Sequence, residues 1–119
     1  MADPTITALM HANLYEVFGQ RDPVLRREAI ARTYTDDVAF TDHAGTIVGL
    51  AAVDDRVQQL LQDAPAAFAF APDGPIYVGE ETAAMAWRLG PPDSEPVARG
   101  IDIATVKDGR ISAIRTLLT

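Results

Sequence analysis

The feature that most constrains this chain is a change of hydrophobic period partway along it. The first half repeats at helical spacing, and the second half alternates residue by residue. Ile6, Leu9, Met10, Asn13, Leu14 and Val17 fall on one face of a helix, which Asp3 or Thr5 would cap and Gly19 would end. Asp22-Pro23 then opens a second helix, with Asp as N-cap and Pro at the first helical position. That helix is expected to reach about Tyr34, with Leu25, Ala29 and Ile30 inward and Glu28 paired to Arg32 on its outside. A short strand over 38–42 and a turn at Gly45 follow. "VGLAAVDDRVQQLLQ" makes a third helix striped by Val53, Val57, Leu60 and Leu61.

Beyond residue 67 the alternation takes over. Phe68 and Phe70 alternate with alanines, "PDGP" at 72–75 reads as a turn, and Ile76–Val78 as a short strand. Residues 82–89 set Ala83, Met85, Trp87 and Leu89 against Thr82, Ala84, Ala86 and Arg88. The hairpin loop "GPPDSEP", a strand from about Val97 to Lys107, the turn "KDGR" and a strand over Ile111–Leu118 complete the chain. Helices first and antiparallel strands after them predict an α+β fold. With no repeat or internal linker, residues 1–119 read as a single domain.

The formal net charge is −7 and the ten basic residues are scattered, which speaks against nucleic acid or an anionic membrane as partner. The chain has no cysteine and two histidines, so no disulfide framework and no metal site are expected. "MADPTITALM" lacks the pattern of a secretory signal, and no apolar run approaches a membrane span, so a cytoplasmic location is the expectation.

Two carboxylates stand out. On the 38–42 strand, Asp42 shares a face with Val38 and Phe40. A catalytic base looking into a cavity and a cap on the turn toward Gly45 both fit it. On the long strand, Asp102 shares a face with Ala98, Gly100, Ala104 and Val106. A mid-strand carboxylate among small residues suggests a pocket lined on one side by empty volume; a buried Asp bonded to a neighbour such as Arg88 is the plainer alternative. Thr82, Ala84, Ala86 and Arg88 repeat the small-plus-charged pattern, which would bring Ala86 and Arg88 to the same pocket. The opposite sheet face would then carry Met85, Trp87, Arg99, Ile101 and Ile103, with Met85 and Trp87 read as core or dimer interface. His43 would point away from Asp42 on a regular strand, yet is a candidate ligand or acid–base partner. His11, Asp36-Asp37 and Asp54-Asp55 read as surface.

These residues carry a resemblance. The order of elements, the segment "YTDDVAFTDHAG" and the segment "RGIDIATVKDGRI" resemble the nuclear-transport-factor-two-like superfamily, in its SnoaL-like and ketosteroid-isomerase-like branch, over nearly the whole chain. The resemblance implies a cone-shaped, cystatin-like fold with three N-terminal helices on a curved, mainly antiparallel sheet enclosing a pocket. It places Asp42 at the position of the proton-shuttling base and Asp102 at that of the protonated acid which holds the oxyanion, a division of labour known from ketosteroid isomerase. The family's first-helix tyrosine is matched by Asn13, with Tyr15 nearly opposite the stripe, so Asn13 would be the helix-borne donor and Tyr34 a supporting residue.

The implied activity is cofactor-free: Asp42 takes a proton next to a carbonyl, and Asp102 with Asn13 stabilises the enolate. Tyr34, Phe40, Arg88, Ala86, Gly100 and His43 would line the pocket. The implied ligand is a small hydrophobic ketone, steroid or polyketide, and the implied assembly is a homodimer through the sheet. Epoxide opening by water, using Asp102, Arg88, Asn13 and Tyr34, and plain hydrophobic-ligand binding are the alternatives.

Overall fold

The structure, a computed structural model, describes residues 4–119. Helix α1 runs Pro4–His11 and continues without a break as a π-helical turn, Ala12–Phe18. The wider turn is closed by the Gly19 amide donating to the Leu14 carbonyl over 2.9 Å. A side chain at Gly19 would meet the Leu14 and Tyr15 carbonyls at 3.0 Å, so the helix ends on glycine for want of room. The expected stripe is the buried one: Met10, Asn13, Leu14 and Val17 are inside, while Tyr15 is exposed. Thr5 lies within α1, and the alternative cap, Asp3, lies outside the described residues.

Helix α2 spans Pro23–Thr33 and starts as expected, with Asp22 Oδ1 accepting from the amides of Val24 and Leu25. Its inward face differs from expectation. Leu25 is half exposed and Arg26 is buried in its place. Arg26 is held by Asp54 Oδ1 at 2.7 Å, Gln58 Oε1 at 2.5 Å and the Gln20 carbonyl at 3.0 Å. It therefore cross-links α2 to α3 (Leu50–Asp63), and Asp54 is a partner rather than a solvated charge. Arg32 reaches back to Glu16 at 2.6 Å instead of pairing with Glu28.

The strands are β1 (Tyr34–Asp42), β2 (Gly45–Val48), β3 (Ala69–Gly79), β4 (Thr82–Gly90), β5 (Ala98–Lys107) and β6 (Arg110–Leu118). They form one curved sheet in the order β2-β1-β6-β5-β4-β3, antiparallel except for the β1–β6 pair. The helices cover one face, as a three-helix α+β domain requires. Three strand expectations change. The first strand begins at Tyr34 and not at Val38. Residues 45–48 form a four-residue strand paired with β1, with Asp42 opposite Gly45, and not merely a turn. "PDGP" does not divide two strands but sits in a register irregularity within the single strand β3.

The largest correction concerns β4. Met85 pairs with Asp102 and Trp87 with Gly100, so Met85 and Trp87 lie on the inner face with the carboxylate. Both are buried. Ala86 pairs with Ile101 and Arg88 with Arg99, on the outer face. Alternation had divided the strand into the right two sets; hydrophobic bulk against the helices decided which set went inside. No helix among the described residues is long and apolar enough to cross a membrane.

Candidate active site: a buried carboxylate at the floor of an apolar cavity

A cavity of about 190 Å³ opens between the helices and the inner sheet face. Its deep part is formed by Leu14, Phe40, Phe70, Trp87 and Asp102. Its rim carries His43 and Leu118, both exposed, with Asp42 beside them. Phe18 from the π-helical turn and Leu60 from α3 close the helix side.

Asp102 is 4% exposed and accepts three hydrogen bonds. Oδ1 takes Trp87 Nε1 at 3.0 Å and Thr116 Oγ1 at 2.7 Å; Oδ2 takes Asn13 Nδ2 at 3.1 Å. An indole and an amide nitrogen can only donate, so the surroundings are arranged for an acceptor. Desolvation nevertheless dominates. Burial pushes the Asp102 carboxyl above its ordinary range, and the bonds from Thr116, Trp87 and Asn13 offset only part of this. Among the described residues no cation pairs with it. Such a group is a stronger base than a solvated carboxylate.

Behind Asn13 stands Tyr34, whose hydroxyl donates to Asn13 Oδ1. Burial, followed by the nearby charge of Asp102, drives the Tyr34 pKa well up, so the phenol keeps its proton. A donor on the carbonyl side of the amide fixes which way Asn13 points, and its NH₂ must face Asp102. The Tyr34–Asn13–Asp102 chain links β1, the π-helical turn and β5. Tyr34 thus supports the site from behind and does not line the cavity.

Gly100 was expected as pocket wall. The Trp87 ring instead fills the space above it: a Cβ on Gly100 would stand 2.6 Å from Trp87 Cζ2 and 2.6 Å from the Leu117 carbonyl oxygen. The small residue on β5 seats the indole, which then delivers its N–H to Asp102. Trp87 was expected on the outer face, and its role was missed; the mid-strand glycine opposite it was the available signal.

Asp42 lies in a different setting. Its Oδ2 is bound by Arg56 Nη1 from α3, and its Oδ1 accepts the Ala44 amide at 2.9 Å. Desolvation raises its pKa, but the Arg56 hydrogen bond, the Ala44 amide and the charges of Arg56 and His43 together outweigh it and lower the carboxyl below its ordinary value. Both oxygens are engaged, so the turn cap and the cavity wall are the same residue. Arg56 was not anticipated. It sits between Val53 and Leu60 at helical spacing, beside the buried stripe, which marked it as a possible inward cation. Of the remaining expected pocket residues, Phe40 and His43 line the cavity. His43 does so because β1 ends at Asp42, so strand alternation no longer governs it. Ala86 and Arg88 do not line it; Arg88 is exposed on the outer face, bordering a separate surface cleft against the 91–96 loop.

A helix-capped curved sheet with an apolar cavity and a carboxylate at its floor defines a class of small pocket-bearing α+β proteins. Within that class the chain belongs to the SnoaL-like domain family, whose pattern matches residues 11–114. No curated protein matches it. Among solved structures, it is similar to a candidate isomerase of the SnoaL-like family from Agrobacterium tumefaciens, with 19% identity, 98% of this chain and 99% of that chain covered, and a TM-score of 0.88. It is similar to a candidate SnoaL-like polyketide cyclase from Jannaschia, with 14% identity, 98% and 86% coverage and a TM-score of 0.80. A candidate ketosteroid isomerase from Kribbella flavida matches with 18% identity, 98% and 78% coverage and a TM-score of 0.69. At these identities the likeness is one of fold, and the fold hosts many chemistries.

Proposed function

We propose that this protein is a cofactor-free proton-transfer enzyme, of the isomerase or cyclase kind, acting on a small hydrophobic ketone. The observation that carries the proposal is Asp102: a carboxylate held by three neutral donors at the floor of an apolar cavity, with its proton affinity raised by burial. The electrostatics favour a different division of labour from the one the resemblance implied. Asp102 takes the proton from the carbon next to the carbonyl and returns it elsewhere on the substrate. As its charge passes to the enolate oxygen, the donors of Thr116 and Trp87, which line the cavity, stand beside the site and support the transferred charge, while Asn13, which does not line it, holds Asp102 from behind. Asp42, tied to Arg56, is the weaker base and shapes the rim. Epoxide opening is less well supported, because Arg88 stands on the outer face, away from Asp102.

The test is conjugation of a β,γ-unsaturated cyclohexenone followed by absorbance. Turnover that survives Asp42→Asn and is lost in Asp102→Asn supports the proposal. Turnover lost in Asp42→Asn alone returns the base to Asp42, and ligand binding without any turnover in the wild type leaves a binding domain.

We also propose that a second copy covers the outer sheet face, which carries Ile101, Ile103 and exposed Leu117 at its centre and exposed Val48 and Tyr77 on its two edge strands. Sedimentation showing only monomer at micromolar concentration would refute it.

A further inference from the structure

The size, walls and charge of the cavity say more about its ligand than that it is apolar. An apolar cavity of about 150 Å³ takes one benzene, and sites for drug-sized ligands begin near 300 Å³. At about 190 Å³ this cavity holds one six-membered ring with a short substituent. A skeleton of four fused rings would leave most of its surface outside the rim.

The walls suit a ring. Phe40, Phe18, Phe70 and Trp87 form a continuous arc, with successive centroids 5.6, 6.3 and 5.5 Å apart. The last two pairs are edge-to-face, and all four residues line the cavity. Such an arc offers both ring faces and ring edges to a flat or half-flat guest. The polar groups are gathered at one end, around Asp102 and Thr116, so the guest needs one polar group and an apolar remainder.

The charge is one-sided. Among the described residues, the titratable ones lining the cavity are Asp42, His43 and Asp102, with no lysine or arginine, and Arg56 is committed to Asp42. An anionic guest would meet a buried carboxylate with no countercharge. A cationic guest would meet a carboxylate whose oxygens already accept three bonds.

We infer that the ligand is a neutral molecule of one six-membered ring bearing one polar group, and that tetracyclic steroid or polyketide skeletons do not enter. This inference rests on the cavity being the substrate site, but binding tests it without any turnover. Trp87 is the chain's single tryptophan and lies in the cavity wall, so its fluorescence reports occupancy.

The experiment titrates the wild-type protein with para-cresol, cyclohexenone, benzoate, benzylamine and a β,γ-unsaturated ketosteroid. The expected result is saturable quenching or shift with both neutral one-ring compounds, affinity for benzoate and benzylamine weaker by about tenfold or more, and no saturable change with the steroid. Steroid affinity equal to or above that of para-cresol would overturn the size argument. Tighter binding of either charged compound would overturn the charge argument, and no response to either neutral ring would overturn both. Leu60→Ala, a change on the half-buried helix wall, should admit a two-ring naphthol that the wild type refuses. Unchanged naphthol affinity in that variant would remove the size argument. Cresol binding with no turnover on any ketone would defeat the enzymatic reading and leave this inference standing.

Discussion

The floor and the rim of the cavity each present an aspartate from a strand, and the two are tuned in opposite directions. Asp102 is buried, meets only neutral donors and has its carboxyl raised by desolvation. Asp42 is partly accessible, meets a guanidinium and a backbone amide, and ends below its ordinary range. Hydrogen-bond number does not separate them, since Asp102 accepts more bonds than Asp42. What separates them is the presence of a formal countercharge and of water. At Asp102 the neutral donors offset the desolvation only in part, whereas at Asp42 the Arg56 guanidinium, the Ala44 amide and the His43 charge together outweigh it.

The sharpest way to break this comparison is to neutralise each carboxylate in turn. Asp102→Asn is expected to lower kcat by about 10²–10⁴-fold, the range for losing a positioned acid–base group. Asp42→Asn is expected to lower it by less than about tenfold. Steady-state kinetics on the cyclohexenone decide, and equal losses would erase the distinction between floor and rim.

The next effect is on the floor's architecture. Gly100→Ala forces the Trp87 ring off its seat, at a cost of about 1–3 kcal/mol for overpacking. Thermal unfolding should register the loss, and the tryptophan emission should shift because its bond to Asp102 is broken. An unshifted spectrum would mean that the indole is not held where described.

Tyr34→Phe removes the donor that orients Asn13 and leaves Asn13 Oδ1 buried without it, at about 1–3 kcal/mol. A merely structural tyrosine would change stability alone. A positioning tyrosine should also move the acid limb of the kcat profile, because the freed amide can turn its oxygen toward Asp102 and raise that carboxyl further.

The smallest effect belongs to the rim. Asp42 is depressed in the folded protein, so its stabilisation is complete above the unfolded carboxyl value of about 3.9 and is lost as pH falls through the lower folded value. Asp102 is raised, so its contribution is present below about 3.9 and is lost as pH rises through the higher folded value. Arg56→Gln should therefore flatten the acid-side fall in stability, by on the order of 1 kcal/mol for a half-buried pair. Denaturation midpoints across the acid range would show it, and an unaltered slope would remove Arg56 as the cause of Asp42's low value.

Much of the fold was legible because periodicity is a local property. The α1 stripe, the Asp22-Pro23 start and the hairpins at 90–96 and 107–110 are each written within a dozen residues. Asp102 was legible for the same reason, as a charge among small residues on one strand face. Long-range choices were not. Nothing local says which face of β4 meets the helices, so Trp87 and Arg88 were exchanged. Nothing local joins Arg56 to Asp42 across the 43–55 segment, and four residues are too few for β2 to announce itself. The division of roles between the carboxylates was the hardest part, because it depends on burial and on a partner from another element.

The most direct test of the account is a pH titration of the side-chain carboxyl carbons of Asp42 and Asp102 by NMR in the folded, unliganded protein. The account predicts that Asp102 titrates above the ordinary carboxylate range and Asp42 below it. Asp102 titrating at or below Asp42 would contradict it and return the proton-transfer role to the rim.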